Sequence, residues 1–276
     1  MKLQEVIDKY ALLGYRFLMI SDHDYLTSQE ELNRSDSGGM LLIPGNEISR
    51  NGPHLLHVNA RSSVKATENR QEVIDRINTD GGLAIVNHPN LYKDFNYCPQ
   101  HNIDTWQGFA GIEIFNGTSH SLSGSAYATD RWDMVLAERK KIWGFAVDDS
   151  HDESEIGRGW VTAYVQDLSA EAIVQSLKKG RFYSSTGVVI KNIEVGSDYI
   201  KIETENAKKI VAVVDYNFRI KEVSGKTIRL DFDGTLPETE RFQASCHRDG
   251  KARYIRFECW GKPEQFAWTQ PFFIRE

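Results

Sequence analysis

Histidines and acids recur in this 276-residue chain where short apolar runs end. The run Ile142 to Val147 stops at Asp148-Asp149-Ser150-His151, and Phe17 to Ser21 stops at Asp22-His23-Asp24. Leu41 to Ile48 closes on Glu47, and Leu83 to Val86 is followed by Asn87-His88-Pro89. Leu55 to Ala60 is flanked by His54 and contains His57. Any one of these residues, taken alone, is better explained as a hydrogen-bonded structural group. The set shares one position relative to the apolar runs, and that points to metal binding. A carboxylate beside an imidazole makes half a site for a divalent transition metal. Asp149 and His151 are two apart, so on extended backbone they point the same way. The donors are nitrogen and oxygen with no thiolate, which suits zinc, manganese or iron. Glu47 is placed to bridge two ions, and such a pair can hold a shared hydroxide as nucleophile while stabilising a leaving oxygen.

The elements that must position these groups alternate along the first two thirds of the chain. Short runs rich in branched and aromatic residues read as strands buried on both faces. Helical spacing of apolar residues appears over Met1–Gly14, Glu68–Thr79, Asp130–Lys140 and from Ser169 to Lys179, with Gly14 and Gly81-Gly82 as stops. Strands alternating with helices imply a largely parallel sheet or a barrel, with sites beyond the C-terminal strand ends. After Thr186-Gly187 the texture changes to short alternating segments separated by turn residues, which predicts a small antiparallel β-sandwich. Domains are therefore expected over 1–186 and 187–276.

A hydrophobic fraction of 40% with 26% charged residues is that of a soluble globular protein. The net charge of −6 argues against nonspecific nucleic-acid binding through a basic surface, while leaving a nucleotide or other phosphate substrate open. Three cysteines, Cys98, Cys246 and Cys259, have no metal-motif spacing and suggest no disulfide scaffold, although a Cys246–Cys259 pair between neighbouring strands stays open. No window is apolar enough to span a membrane, and no signal peptide precedes the first helix, so a cytoplasmic location is expected.

Five segments in order, Ile20-Ser21-Asp22-His23-Asp24, Pro44-Gly45-Asn46-Glu47-Ile48, His54-Leu55-Leu56-His57, Asn87-His88-Pro89 and Asp148-Asp149-Ser150-His151, resemble the motifs of the PHP (polymerase and histidinol phosphatase) superfamily. The resemblance covers about residues 1 to 186. It implies a distorted (β/α)7 barrel with two or three metal ions at its C-terminal face, and phosphoesterase chemistry on a small phosphate ester. His23, Glu47, His88, Asp149 and His151 take ligand roles by this resemblance, with Glu47, Asp149 and His151 also expected to be catalytic. Of His54 and His57, His57 is preferred as ligand. The β-rich tail ending in Ala267-Trp268-Thr269-Gln270-Pro271 resembles that of a metallohydrolase branch of the superfamily. The family opens on a strand bearing His-x-His, and no such pair stands upstream of Asp22. A strand and two ligands are thus expected to be missing, leaving fewer ions, weak occupancy, low activity and one uncovered sheet edge.

Around this set, Asp22 and Asp148 are expected to orient ligands, and Glu113 and Asn116 to lie behind them. Arg158 and Arg50 could hold a phosphate oxygen, or be ordinary loop arginines. His101 and His120 read as surface residues, Trp132 and Trp143 as core. Two other functions remain open: an accessory binding protein with an incomplete metal site, and a carboxylic ester or amide hydrolase.

Overall fold

A computed structural model describes residues 1–138, 140–231 and 252–273. The chain opens with α1 (Leu3–Leu12), β1 (Phe17–Met19) and a single turn, α2 (Gln29–Leu32). Then come β2 (Leu41–Ile43), β3 (Gly45–Ile48), β4 (Leu55–Val58), α3 (Arg70–Asp80) and β5 (Leu83–Val86). The apolar segment from Leu41 to Ile48 is split because Pro44 has no N–H for a ladder. The middle of the chain supplies α4 (Gln100–Thr105), β6 (Gly111–Asn116), α5 (Thr129–Ala137) and β7 (Trp143–Val147). β8 (Trp160–Ala163), α6 (Ala170–Lys178) and β9 (Phe182–Ser185) follow. Ser169 caps α6 by accepting from the Ala172 N–H, and α3 stops at Gly81, which takes the left-handed conformation at φ 88°.

β1 pairs with β2 in parallel, and β3-β4-β5-β6-β7 form a five-stranded sheet. Only β5/β6 and β6/β7 are parallel there; β3/β4 and β4/β5 are antiparallel. The expectation of a largely parallel sheet is corrected at this point. The link from β3 to β4 is too short for a crossover and returns the chain as a hairpin. Among the described residues the strands form four sheets, and no sheet closes on itself.

The remaining strands are β10 (Ile190–Val195), β11 (Tyr199–Thr204), β12 (Lys209–Val214), β13 (Phe218–Ser224), β14 (Thr227–Asp231), β15 (Tyr254–Trp260), β16 (Phe266–Thr269) and β17 (Phe272–Phe273). β10-β11-β14 form one antiparallel sheet, and β13-β12-β15-β16-β9-β8 form the longer one, with β17 on β15. Inward residues of both sheets, including Ile200, Ile202, Ile210, Ala212, Phe257 and Cys259, share one core, as in a sandwich. Hydrogen bonding runs across residue 186, since β9 pairs with β8 on one side and β16 on the other.

Two further cores flank the five-stranded sheet. One packs α3 and α5 against it together with Tyr254 and Trp268 of the sandwich. The other joins Leu56, Ile85 and Phe145 to Phe182 and α6. The sandwich is also tied on by charge. Arg256, fully buried, donates to both carboxylate oxygens of Asp133 on α5, at 2.7 and 2.6 Å, and to Glu258. Tyr254 donates to Asp133 at 2.7 Å. Trp132 is core, whereas Trp143 is only half-buried and donates to the Lys178 carbonyl. Cys98 and Cys259 are free and buried; Cys246 lies outside the described residues. No described helix is long and apolar enough to cross a membrane.

Candidate metal centre

Glu47 is the hub. It lies near the end of β3 and is 3% exposed. Its Oε1 accepts from His54 Nδ1 at 2.8 Å, from Asn87 at 2.7 Å and from His88 Nε2 at 3.4 Å. Its Oε2 faces His23 Nδ1 at 2.8 Å. Burial alone pushes this carboxyl up, but the bonds from His23, His54 and His88 outweigh it and hold Glu47 well below the usual carboxylate range.

Each partner arrives from a different segment. His23 follows β1 and is tied to β3 by a parallel bridge to Glu47. His54 precedes β4, and His88 follows β5. His88 has φ 25°, and its backbone N–H donates to Glu113 at 2.8 Å. Asp149, with φ 52°, follows β7 and accepts from Asn116 at 3.0 Å. Positive φ at such non-glycine residues stores strain and clusters at functional sites. Asn116 also donates to Glu113 at 2.9 Å, so one amide holds both carboxyls.

His151 Nδ1 donates to the Asp149 carbonyl at 2.8 Å. A carbonyl only accepts, so the proton is on Nδ1 and the Nε2 lone pair is bare. His23 Nδ1 is likewise turned to acceptors, Glu47 and the Ser49 hydroxyl. The two Nε2 atoms then face one another at 3.3 Å. Two bare lone pairs at that distance repel unless a proton or a metal cation lies between them. Two nitrogens bound to one tetrahedral zinc at about 2.0 Å are about 3.3 Å apart. His23, Glu47 and His54 also offer donor atoms within 4.8 Å of one another. His88 Nδ1 is buried with no hydrogen-bond partner. These residues fit divalent cations.

Electrostatics agree. Burial, reinforced by the Glu47 charge, raises the Asp149 carboxyl above its ordinary value. Burial pushes Glu113 up to about 8, with His88 opposing and Asp149 reinforcing. A cation would relieve this crowding of acids. Both His23 and His88 are raised. For His23 the Glu47 hydrogen bond is the main cause; for His88 burial, the largest single influence, works downward, and the Glu47 hydrogen bond together with the charges of Glu113, Glu47 and Asp149 outweighs it.

The structure corrects the preference for His57. β4 runs antiparallel to β3 and β5, so its start, not its middle, lies at the site. His54 is therefore the residue against Glu47. His57 is fully buried and faces Asp80 at 3.3 Å, with its ring packed against Gly82. Asp148 orients no ligand side chain. Its carboxylate accepts from Tyr10 and from the Gly157 and Gly159 N–H groups, bracing α1 and the loop before β8. Asp22 is exposed and accepts from Thr27 at 2.8 Å, while its carbonyl accepts from the Glu47 N–H. Arg158 donates to the Gly117 and Ser154 carbonyls, and Arg50 is 81% exposed beside Asp24. His101 and His120 are surface residues.

Three participants escaped the sequence. Asn87, seen only as part of Asn-His-Pro, anchors Glu47. Tyr97 lays its ring against His54 and His88, at 5.1 and 4.9 Å between centroids. Arg70 is 2% exposed and donates to the Arg50 and Gly52 carbonyls at 2.7 and 2.8 Å, fixing the loop between Glu47 and His54. A charged residue in the first turn of α3 carries no pattern that separates it from a solvated one.

Beside the histidines a groove of about 1200 Å³ runs between β1 and β8, from His23 and His151 down past Leu56, Val161 and Ile173. Among the described residues β1 pairs only with β2, and β8 only with β9, so each has an edge without a strand partner there.

The arrangement has a counterpart among solved folds. Its similarity to a known crystal structure, a two-domain protein from Bacteroides vulgatus containing a predicted PHP-like metal-dependent phosphoesterase, has a TM-score of 0.52 at 16% identity and covers 98% of this chain and 89% of that one. At that identity the resemblance is one of fold. No protein-family model matches the chain, and no curated protein does.

Proposed function

We propose that this protein is a metal-dependent phosphoesterase acting on a small phosphate ester. One observation carries the reading: imidazoles and carboxylates from five separate segments meet on one face with ring nitrogens bare. His23, Glu47, His54, His88, Asp149 and His151 would hold divalent zinc, manganese or iron. Cations held there supply Lewis-acid charge to phosphoryl oxygens and acidify water. The chain's own groups do the rest. Glu47 stays ionised and fixes the tautomer of His54. Asn116 aims Asp149, and the Asp149 carbonyl aims His151. His23 and His151 are exposed, which leaves the rim open to a substrate. The resemblance to a two-domain structure described as containing a predicted phosphoesterase supports phosphorus over carbon as the centre attacked.

We read the sheets as staves of one distorted barrel whose wall opens at the groove, over residues 1–186, with the sandwich over 187–276. That open wall favours a second reading, in which cations are held weakly and the protein binds more than it turns over. A cytoplasmic location belongs to the same proposal.

The test is hydrolysis of p-nitrophenyl phosphate by the purified protein with added manganese or zinc. Phosphate release that EDTA abolishes is expected. Cleavage of p-nitrophenyl acetate with no phosphatase activity would overturn the phosphoesterase reading, and binding of metal with neither activity would favour the second.

A further inference from the structure

The segment after His88 carries two aromatic side chains outward on strained backbone. Tyr92 is 52% exposed with φ 68°, and Phe95 is 49% exposed with φ 53°. Large residues rarely adopt this conformation unless the surroundings impose it. Here they do. The buried Asn90 side chain donates to the Tyr127 carbonyl and to Asp130, and accepts from Arg131, which also holds the Phe95 carbonyl. The Tyr92 N–H donates to the Ser123 carbonyl at 2.7 Å. Gly124 allows that approach: a Cβ there would sit 2.5 Å from the Asn90 carbonyl and 2.6 Å from the Tyr92 nitrogen.

The rigid segment puts Tyr92 edge-on to Tyr97, at 5.5 Å between centroids. Tyr97 in turn touches His54 and His88. The rings thus run without a break from solvent to the metal-binding histidines. Nothing in packing requires an exposed tyrosine at a strained position, because the loop is held by polar groups and backbone bonds instead.

We propose that Tyr92, backed by Tyr97, is a stacking shelf for a planar aromatic ring on the substrate, so that esters bearing such a ring are preferred to aliphatic ones. Tyrosine offers a large flat surface at little cost in side-chain freedom, and bases and aryl groups alike stack on it. The inference rests on the phosphoesterase reading for its reaction and on ring geometry for its specificity.

The test compares kcat/KM for phenyl phosphate against glycerol phosphate, and for adenosine monophosphate against ribose 5-phosphate, in wild type, Tyr92→Ala and Tyr92→Phe with manganese. The expected result is a preference of about tenfold for the ring-bearing member of at least one pair, carried mainly by KM. Tyr92→Ala abolishes the preference and Tyr92→Phe keeps it. A preference in the first pair alone identifies an aryl group, and one in the second a nucleobase. No preference in wild type, or one that survives in Tyr92→Ala, overturns the proposal. If no ester is hydrolysed, the phosphoesterase reading fails, and calorimetric binding of the same four compounds decides the shelf by the same criteria.

Discussion

Nε2 of His23 and Nε2 of His151 face each other at 3.3 Å, although 128 residues separate them in the chain. His151 has its proton on Nδ1, and the Glu47 carboxylate draws Nδ1 of His23. The gap suits a proton at low pH and a metal cation at higher pH. Replacing His23 or His151 by alanine should therefore lower bound zinc per chain without unfolding the protein, because both rings are exposed at the rim. Equilibrium dialysis with elemental analysis measures the first effect and thermal melting the second.

Protonation opposes binding at these rings. His23 and His88 are both raised above their ordinary value, about 6.5. Metal affinity should fall as pH drops through neutrality, with half the loss reached above pH ~6.5. Without metal the sign reverses for stability. Groups whose pKa is raised on folding contribute fully below about pH 6.5 and lose that contribution as pH rises through the folded value. Glu47 is depressed, so its contribution is present above about pH 4.3 and lost as pH falls further. Melting of the metal-free protein should thus peak in mildly acidic buffer and decline toward pH 8, and added zinc should remove that decline.

His54 and His57 separate ligand from core. His54→Ala should cost metal and activity with little change in melting temperature. His57→Ala opens a cavity at a fully buried site and should destabilise by roughly 2–3 kcal/mol in urea unfolding, with metal stoichiometry retained.

Arg70 acts at one remove. Arg70→Met strips the Arg50, Gly52 and Thr67 carbonyls of their donor. Stability should drop by about 2–4 kcal/mol. His54 then loses its fixed approach, so metal affinity should fall several-fold in the folded protein, read by titration with a chromogenic chelator.

Asp133 and Arg256 weld the sandwich to α5. Breaking a buried pair by removing one partner costs about 3–5 kcal/mol. Arg256→Ala should cost that much and separate one cooperative melt into two, seen by calorimetry.

The strand ends that carry the candidate site were legible in the sequence because an apolar run that stops on His or an acid is a one-dimensional pattern. Glu47, His88 and Asp149 meet as that pattern implies. The tail's alternation likewise foretold antiparallel strands. Strand direction was not legible. β4 has the same apolar texture whichever way it runs, and its reversal moves the site from His57 to His54. Nor was pairing across residue 186, since β8 and β9 look like their predecessors and differ only in their neighbours. Asn87, Tyr97 and Arg70 act through contacts distant in sequence, which no local periodicity encodes.

The most direct measurement is an anomalous difference map from crystals soaked in zinc. A peak between His23 Nε2 and His151 Nε2, about 2 Å from each, is the predicted result. Zinc bound only elsewhere, with those nitrogens still 3.3 Å apart and vacant between, would contradict it.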